Sequence, residues 1–408
     1  MQEIDEIEIF SPFSVFAETI AKQSQTLNLT TLAVKNAYLN RGVSVLSLHT
    51  DTLAEQLVDD VWKPEEHLFN QRISPPVEEI KYAAILINES KRPYIFGGRG
   101  IRNCGDKVLQ LAEKISAPIV TTTRAKGVIP ETHRLAMGVL GSVGTIVVSK
   151  VITKSDLVII IGSGFRQRNL IPNTPIIQVN IDGVKLGKSF PIKCGIIGDA
   201  SEVVQLLIEN ISSKEPDKDY FGEIYQLKEA YLKELRDEAV DYFIPINPGF
   251  LIQGIKRHAS KDSLILVDVG DHSYWFYRKY VCEGERTLMS SNMASMAFAL
   301  PAFLVAKIVY PDKQVICVTS DGGFGMLMAD FTTAVRDKLP IKVVIFNDGR
   351  LKNIKNSFVR GIQSLVLISL ILILHSSQNH VAEEDIVLKT LKNLTKFLKQ
   401  HLYQVNLR

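Results

Sequence analysis

The sequence predicts an α/β protein built from doubly wound parallel sheets. Three observations carry that reading. Short apolar runs without polar alternation (YIFGG, DLVIIIGSG, PIIQVNID) recur along the chain, as expected of strands covered on both faces. Segments with helical apolar spacing, such as KVLQLAEKI and SEVVQLLIEN, lie between them. Several of the runs end in polar, glycine-bearing turns, and ligands bind at the carboxyl ends of strands in sheets of this kind.

In chain order, residues 1–62 carry one helical pattern (TTLAVKNAYLNRG) and one strand (VSVLSL). This is too little for an independent core and reads as the end of a domain. A polar stretch with Pro64, Pro75 and Pro76 opens the next segment. Residues 63–212 then alternate strands and helices: YIFGG, KVLQLAEKI, PIVTTT, VVSKVIT, DLVIIIGSG, PIIQVNID and SEVVQLLIEN. A charged helical connector, 213–242, leads to a second unit, 243–361, whose strands are LILVDVGD, QVICVTSDGG and KVVIFNDG. The stretch 362–408 has neither helical nor strand periodicity.

Composition excludes several classes. A net charge of +3 over 408 residues, evenly spread, gives no footprint for nucleic acid or a membrane surface. Cys104, Cys194, Cys282 and Cys317 lie far apart without CxxC spacing, so they read as reduced intracellular thiols. The acidic start, MQEIDEIEIF, has no apolar core of a secretory signal, and the expectation is a cytoplasmic protein. The longest apolar run, Ile362–Leu374, is interrupted by Gln363, Ser364 and Ser369 and is short for a bilayer span.

The chemistry concentrates at two strand ends. Asp321 follows one apolar strand and Asn347, 26 positions on, follows the next, with a helical stretch between. If a diphosphate lay there, Gly322 and Gly323 would let the backbone approach it. A helix starting near Met326 would turn its positive end toward the anion. Magnesium takes hard oxygen ligands in octahedral geometry. Asp321 offers a carboxylate, Asn347 an amide oxygen and Gly349 a carbonyl. Either tripeptide alone is usually just a turn; the pair at this spacing is far more specific.

The stretch SDGG…NDG resembles the thiamine diphosphate motif, Gly-Asp-Gly followed by a distant Asn, of pyruvate oxidases, acetolactate synthases and their relatives. Ser320 stands where the family has its first glycine. ILVDVGDHSYWF is similar to the family's diphosphate-contacting strand and loop, which implies roles for Gly270, Asp271 and His272. SSNMASMAFALPAF is similar to its (A/T)MGFGLPAA segment, which implies that Met296 props the bent cofactor under its thiazolium ring. The middle unit resembles the family's central domain, most closely that of the flavin-containing pyruvate oxidases, through YIFGGRG, TTTRAKGVIPETH, IGSGFR, QVNID and GDA. That resemblance lays Gly98, Arg99, Thr122, Lys126, Ser163, Phe165, Asp182 and Asp199 along FAD.

The resemblance implies thiamine diphosphate-dependent decarboxylation of a 2-oxo acid, pyruvate, with Mg2+ and FAD bound and electrons passing to oxygen or a quinone. The runner-up is an acetolactate synthase-like carboligase, in which flavin does no redox work, although WFYRKYVCEGE and NDGRLKNIK look more like the oxidase branch. A cofactor-binding remnant without activity is the alternative of another class. The resemblance also implies a homo-oligomer, a dimer or tetramer. The family's activating glutamate belongs to a first, pyrimidine-binding domain, upstream of the segment matched by MQEIDEIEIF. None of Glu3, Glu6 and Glu8 matches it, so no catalytic residue is assigned and the chain reads as a fragment inactive alone. After about Lys355 the resemblance stops. Read one base earlier, codons for Leu370–Val387 can encode the family's Asn-Pro-x-Phe-Ala-type segment. This reading predicts a frameshift between Asn353 and Gly361 and a non-native tail.

Overall fold

The computed structural model describes residues 4–56, 63, 66–69, 72–141, 143–164, 170–215, 217–238, 246–349 and 351. The sequence reading of the tail, 362–408, lies outside the described residues, as does Phe165. The chain divides into two compact units, Met1–Arg72 and Ile73–Arg408.

The smaller unit holds α1 (Glu6–Phe10), β1 (Phe16–Ile20), α2 (Thr26–Asn40), β2 (Ser44–Leu48) and α3 (Thr50–Leu53). β1 and β2 pair in parallel across α2 as a single βαβ crossover. Ile20 and Ala33 are its buried hydrophobic residues among those described.

The larger unit contains two sheets. The first is built from α4 (Val77–Glu89), β3 (Pro93–Gly97), α5 (Gly105–Lys114), β4 (Ile119–Thr121), β5 (Ala136–Val139), α6 (Ile146–Ile152), β6 (Leu157–Ile161), β7 (Ile176–Asn180), β8 (Cys194–Ile197) and α7 (Ala200–Asn210). Its strands run in the order β5-β4-β3-β6-β7-β8 and every pairing is parallel. The chain winds outward from β3 to one edge and then from β6 to the other, which is double winding with its switch point between β3 and β6. Every residue of β3 and β6 is buried. Ile80, Ala83, Ala84 and Ile87 of α4 make one helical stripe that packs with Leu111 of α5 and Leu207 of α7 on one face. Val148 of α6 and Tyr220 and Ile224 of α8 (Lys218–Glu238) cover the other.

The second sheet comes from α9 (Pro248–His258), β9 (Leu264–Val267), α10 (Asp271–Lys279), β10 (Arg286–Leu288), α11 (Ala299–Val309), β11 (Val315–Ser320), α12 (Asp321–Met326), α13 (Asp330–Arg336) and β12 (Val343–Phe346). The strand order is β10-β9-β11-β12, again all parallel. Its switch point lies between β9 and β11. Phe250, Ile255 and Phe276 fill one face, Phe303 and Leu304 the other. The architecture is the one the sequence predicts.

The two sheets are stitched together. Val139 and Val143, at and beyond the end of β5, enter the core of the second sheet. Lys126 Nζ lies 2.8 and 2.6 Å from the two Glu131 oxygens in a buried ion pair. Glu131 Oε2 also accepts the Cys282 N–H at 2.9 Å. All four cysteines are free and buried. Among the described residues no helix is long and apolar enough to cross a membrane.

Candidate functional site

The register of β11 against β12 answers why Asp321 and Asn347 both sit where a strand stops. Ser320 pairs with Phe346, so the next residue of each strand stands at the same level of the same sheet edge. Ser320 Oγ then accepts the Gly323 N–H at 3.1 Å and caps α12. The helix therefore begins at Asp321 and ends at Met326, rather than starting near Met326 as the sequence suggested. With fewer than two turns it adds little aligned dipole.

Asp321 is buried, and among the described residues neither carboxylate oxygen has a hydrogen-bond partner. Burial pushes its pKa above the usual carboxylate range. The amides of Gly322 and Gly349 lean toward it without closing a bond, and the Asp348 charge opposes its ionisation further. An orphaned buried carboxylate is costly unless something pairs with it. Asn347 is exposed beside it and Gly349 half-buried. These three offer only oxygen atoms, the donor chemistry of a hard divalent cation. Among the described residues no group of three or more His, Cys, Asp and Glu could hold a metal, so a cation here would draw its other ligands from elsewhere.

Across the switch point, Gly270 caps α10, and Asp271 and His272 form the helix's first turn. His272 is buried. Its ring tilts against Phe346 of β12, 5.9 Å between centroids, and neither nitrogen has a hydrogen-bond partner among the described residues. Burial pushes its pKa down, against the nearby carboxylates, so the ring is neutral. The Trp275 Nε1–H donates to Asp271 Oδ2 at 3.1 Å. Met296 arrives from the loop before α11. Its methyl lies 3.6 Å from the point where a Cβ on Gly322 would be. The fold thus gathers Gly270, Asp271, His272, Met296, Ser320, Asp321, Gly322, Gly323, Asn347 and Gly349 at the carboxyl ends of β9, β11 and β12.

At the first sheet the predicted residues separate into two groups. Gly98, Thr122 and Ser163 follow β3, β4 and β6, at and beside the switch point. A Cβ on Gly98 would stand 2.5 Å from both the Gly162 carbonyl and Ser163 Cβ, so only glycine fits there. Thr122 Oγ1 is buried with no partner among the described residues, and Arg99 is exposed next to it in the same row of strand ends. Asp182 and Asp199 continue the row past β7 and β8, but each accepts a backbone amide (Val184 and Ser201) and caps the helix it opens. Lys126 does not face the row, because its ammonium is buried against Glu131.

Two stretches of the chain match models of known domains. Residues 80–207 match the thiamine pyrophosphate enzyme central domain, and 268–365 match the C-terminal domain of the same enzymes, described as TPP binding. Thiamine pyrophosphate is another name for thiamine diphosphate. The chain belongs to the thiamine pyrophosphate enzyme family.

Among similar proteins of this family, Bacillus subtilis YdaP, whose name describes it as thiamine pyrophosphate-containing, is 32% identical over 86% of this chain and 61% of its own length. The Corynebacterium glutamicum acetolactate synthase large subunit is 32% identical over 72% of this chain and 49% of its own. The Lactiplantibacillus plantarum pyruvate oxidase is 24% identical over 87% and 60%. The chain spans about half to three-fifths of the length of these curated relatives.

One residue of this cluster escaped the sequence reading. Asp268, directly after β9, is fully buried and contacts three of the segments that form the site. The available signal was a carboxylate ending the apolar run LILV, the same pattern that drew attention to Asp321.

Proposed function

We propose that this chain supplies the diphosphate-binding part of a thiamine diphosphate-dependent enzyme acting on a 2-oxo acid, with pyruvate as the substrate. Mg2+ would join Asp321, the Asn347 amide oxygen and the Gly349 carbonyl to the cofactor's diphosphate, and FAD would lie along the first sheet. The observation that carries this reading is the Asp321 carboxylate, buried and unpartnered beside the Asn347–Gly349 turn.

The residues present fit such a group. Asp321 brings a full negative charge to a buried strand end, which a divalent cation would neutralise. Gly270, His272, Ser320 and Gly322 would border the diphosphate, and neutral His272 adds no charge of its own. Met296 and Phe346 make the wall apolar and keep water from the reacting end. When bound, thiamine diphosphate supplies the thiazolium carbon that adds to the substrate carbonyl and accepts the electrons left by departing carbon dioxide. The protein's part is to hold, orient and desolvate.

For the fate of those electrons we favour an FAD-linked oxidase, passing them to oxygen or a quinone. The orphaned Thr122 hydroxyl and the glycine-lined switch point between β3 and β6 support a flavin there. The carboligase reading is favoured by identity, 32% to an acetolactate synthase large subunit against 24% to a pyruvate oxidase. The longer shared span favours the oxidase, 87% of this chain against 72%. Assembly as a homo-dimer or tetramer belongs to the same proposal.

Calorimetry of the chain with thiamine diphosphate, with Mg2+ or with excess chelator, tests the central claim. Binding is expected only with Mg2+ and should be lost in Asp321→Ala. Unchanged affinity in that variant, or binding indifferent to chelator, sinks the assignment. With the chain joined to the family's pyrimidine-binding domain, which carries the activating glutamate, bleaching of bound FAD by pyruvate separates oxidase from carboligase.

A further inference from the structure

The loop that carries Met296 is held in a conformation it would not keep by itself. Ala294 and Ala297 have φ of +54° and +64°, values that residues with a side chain rarely adopt and that persist only when surroundings enforce them. At Ala297 the enforcing group is Asp268. Its Oδ1 accepts the N–H of Val269 at 2.9 Å and of Phe298 at 3.1 Å. Its Oδ2 accepts the Ala297 N–H at 3.1 Å and the Thr319 hydroxyl at 2.8 Å. All four partners donate, and a carboxylate is a side chain that can only accept. On the same oxygen's other side lies Gly323, whose Cβ, if it had one, would stand 2.3 Å away. One buried carboxylate therefore touches the end of β9, the end of β11, the turn into α12 and the Met296 loop.

We propose that Asp268 is the positioning residue that locks the Met296 loop to the Ser320–Gly323 turn before any cofactor arrives. The prop and the diphosphate turn then come ready spaced, and binding need not order them. The importance of that spacing rests on the function proposed above; the lock itself does not.

Amide hydrogen exchange on the cofactor-free chain tests the lock, and Asp268→Asn is the informative variant. The Thr319 hydroxyl can turn to accept, so the new NH2 group settles on its side. The Ala297 N–H is left without an acceptor, while Val269 and Phe298 keep theirs. The expected result is exchange at Ala297 at least 10-fold faster, with Phe298, β9 and β11 unchanged. In the same variant, thiamine diphosphate affinity should fall and cofactor should restore the lost protection. Uniformly faster exchange throughout the four-stranded sheet would reduce Asp268 to a general stabiliser and overturn the proposal. So would unchanged exchange at Ala297. If the variant does not fold, the wild type still decides: Ala297 and Phe298 exchanging at open-loop rates would refute the lock. Because no cofactor is present in that measurement, failure of thiamine diphosphate binding leaves its outcome intact.

Discussion

Replacing Lys126 by methionine separates two roles that the sequence and the structure give this residue. Family resemblance lays it along FAD; the fold buries its ammonium between both oxygens of Glu131, at 2.8 and 2.6 Å, with the two side chains 2% and 10% exposed. Methionine preserves the length and removes the charge. Glu131 is then a buried carboxylate left with the Cys282 N–H. Removing one partner of a buried pair costs about 3–5 kcal/mol. Lys228 lines one cavity together with Lys126 and Glu131 and interacts with the Glu131 charge. Burial has already lowered its pKa to about 8, so its help is partial and the low end applies. With a urea m-value of about 3 kcal/mol per M, the midpoint should drop by roughly 1 M. Adding Glu131→Leu removes the stranded charge and leaves an unsatisfied Cys282 amide, a penalty of about 1–3 kcal/mol. The double variant should therefore be more stable than Lys126→Met alone. FAD affinity, measured at low urea, should be unchanged in both. A single variant with the wild-type midpoint and no FAD affinity would refute the structural role and return Lys126 to the cofactor.

Asp321→Asn should raise the urea midpoint of the cation-free protein at pH 7. Burial holds the carboxylate pKa above 3.8, so its ionisation in the fold is a penalty that appears as pH rises; the gain should vanish near pH 4, and a lower midpoint at pH 7 would count against it. His272 behaves in the opposite sense. Its pKa is held below 6.5, so the unfolded chain takes up more protons and stability is lost as pH falls through that range. His272→Gln should flatten this loss between pH 7 and about 5, and an unaltered slope would place the loss elsewhere. Gly323→Ala puts a methyl 2.3 Å from Asp268 Oδ2 and 3.0 Å from Thr319 Oγ1. It should cost about 1–3 kcal/mol by chemical denaturation, and wild-type stability would show that the turn can give way.

The fold was legible where burial on both faces writes a continuous apolar run: β3, β6, β7 and β11 are all such runs. β5 and β10 were not, because four residues around a glycine and three residues after a glutamate leave no pattern to detect. α9 was obscured by Gly249 and Gly254, which lower helix propensity yet are buried in the core. At the site, residue type and spacing pointed to Asp321 and Asn347, but the register that sets them side by side is a tertiary fact. The early start of α12 hung on one serine hydroxyl. The burial of Lys126 could not be read at all, since its partner Glu131 is close in sequence but the segment that covers both comes from Cys282, far along the chain.

The burial of the four thiols has a consequence for a protein proposed to pass electrons to oxygen. Two-electron reduction of oxygen yields peroxide, and peroxide attacks thiolates, not thiols. Burial raises the Cys104 thiol to about 11 and Cys194 to about 12, and pushes Cys282 and Cys317 higher still. At neutral pH essentially no thiolate exists to be oxidised. The chain can thus work beside its own oxidant, with methionine as its sulfur at risk. Met293, almost wholly exposed in the loop that leads to Met296, is the first place to look for sulfoxide.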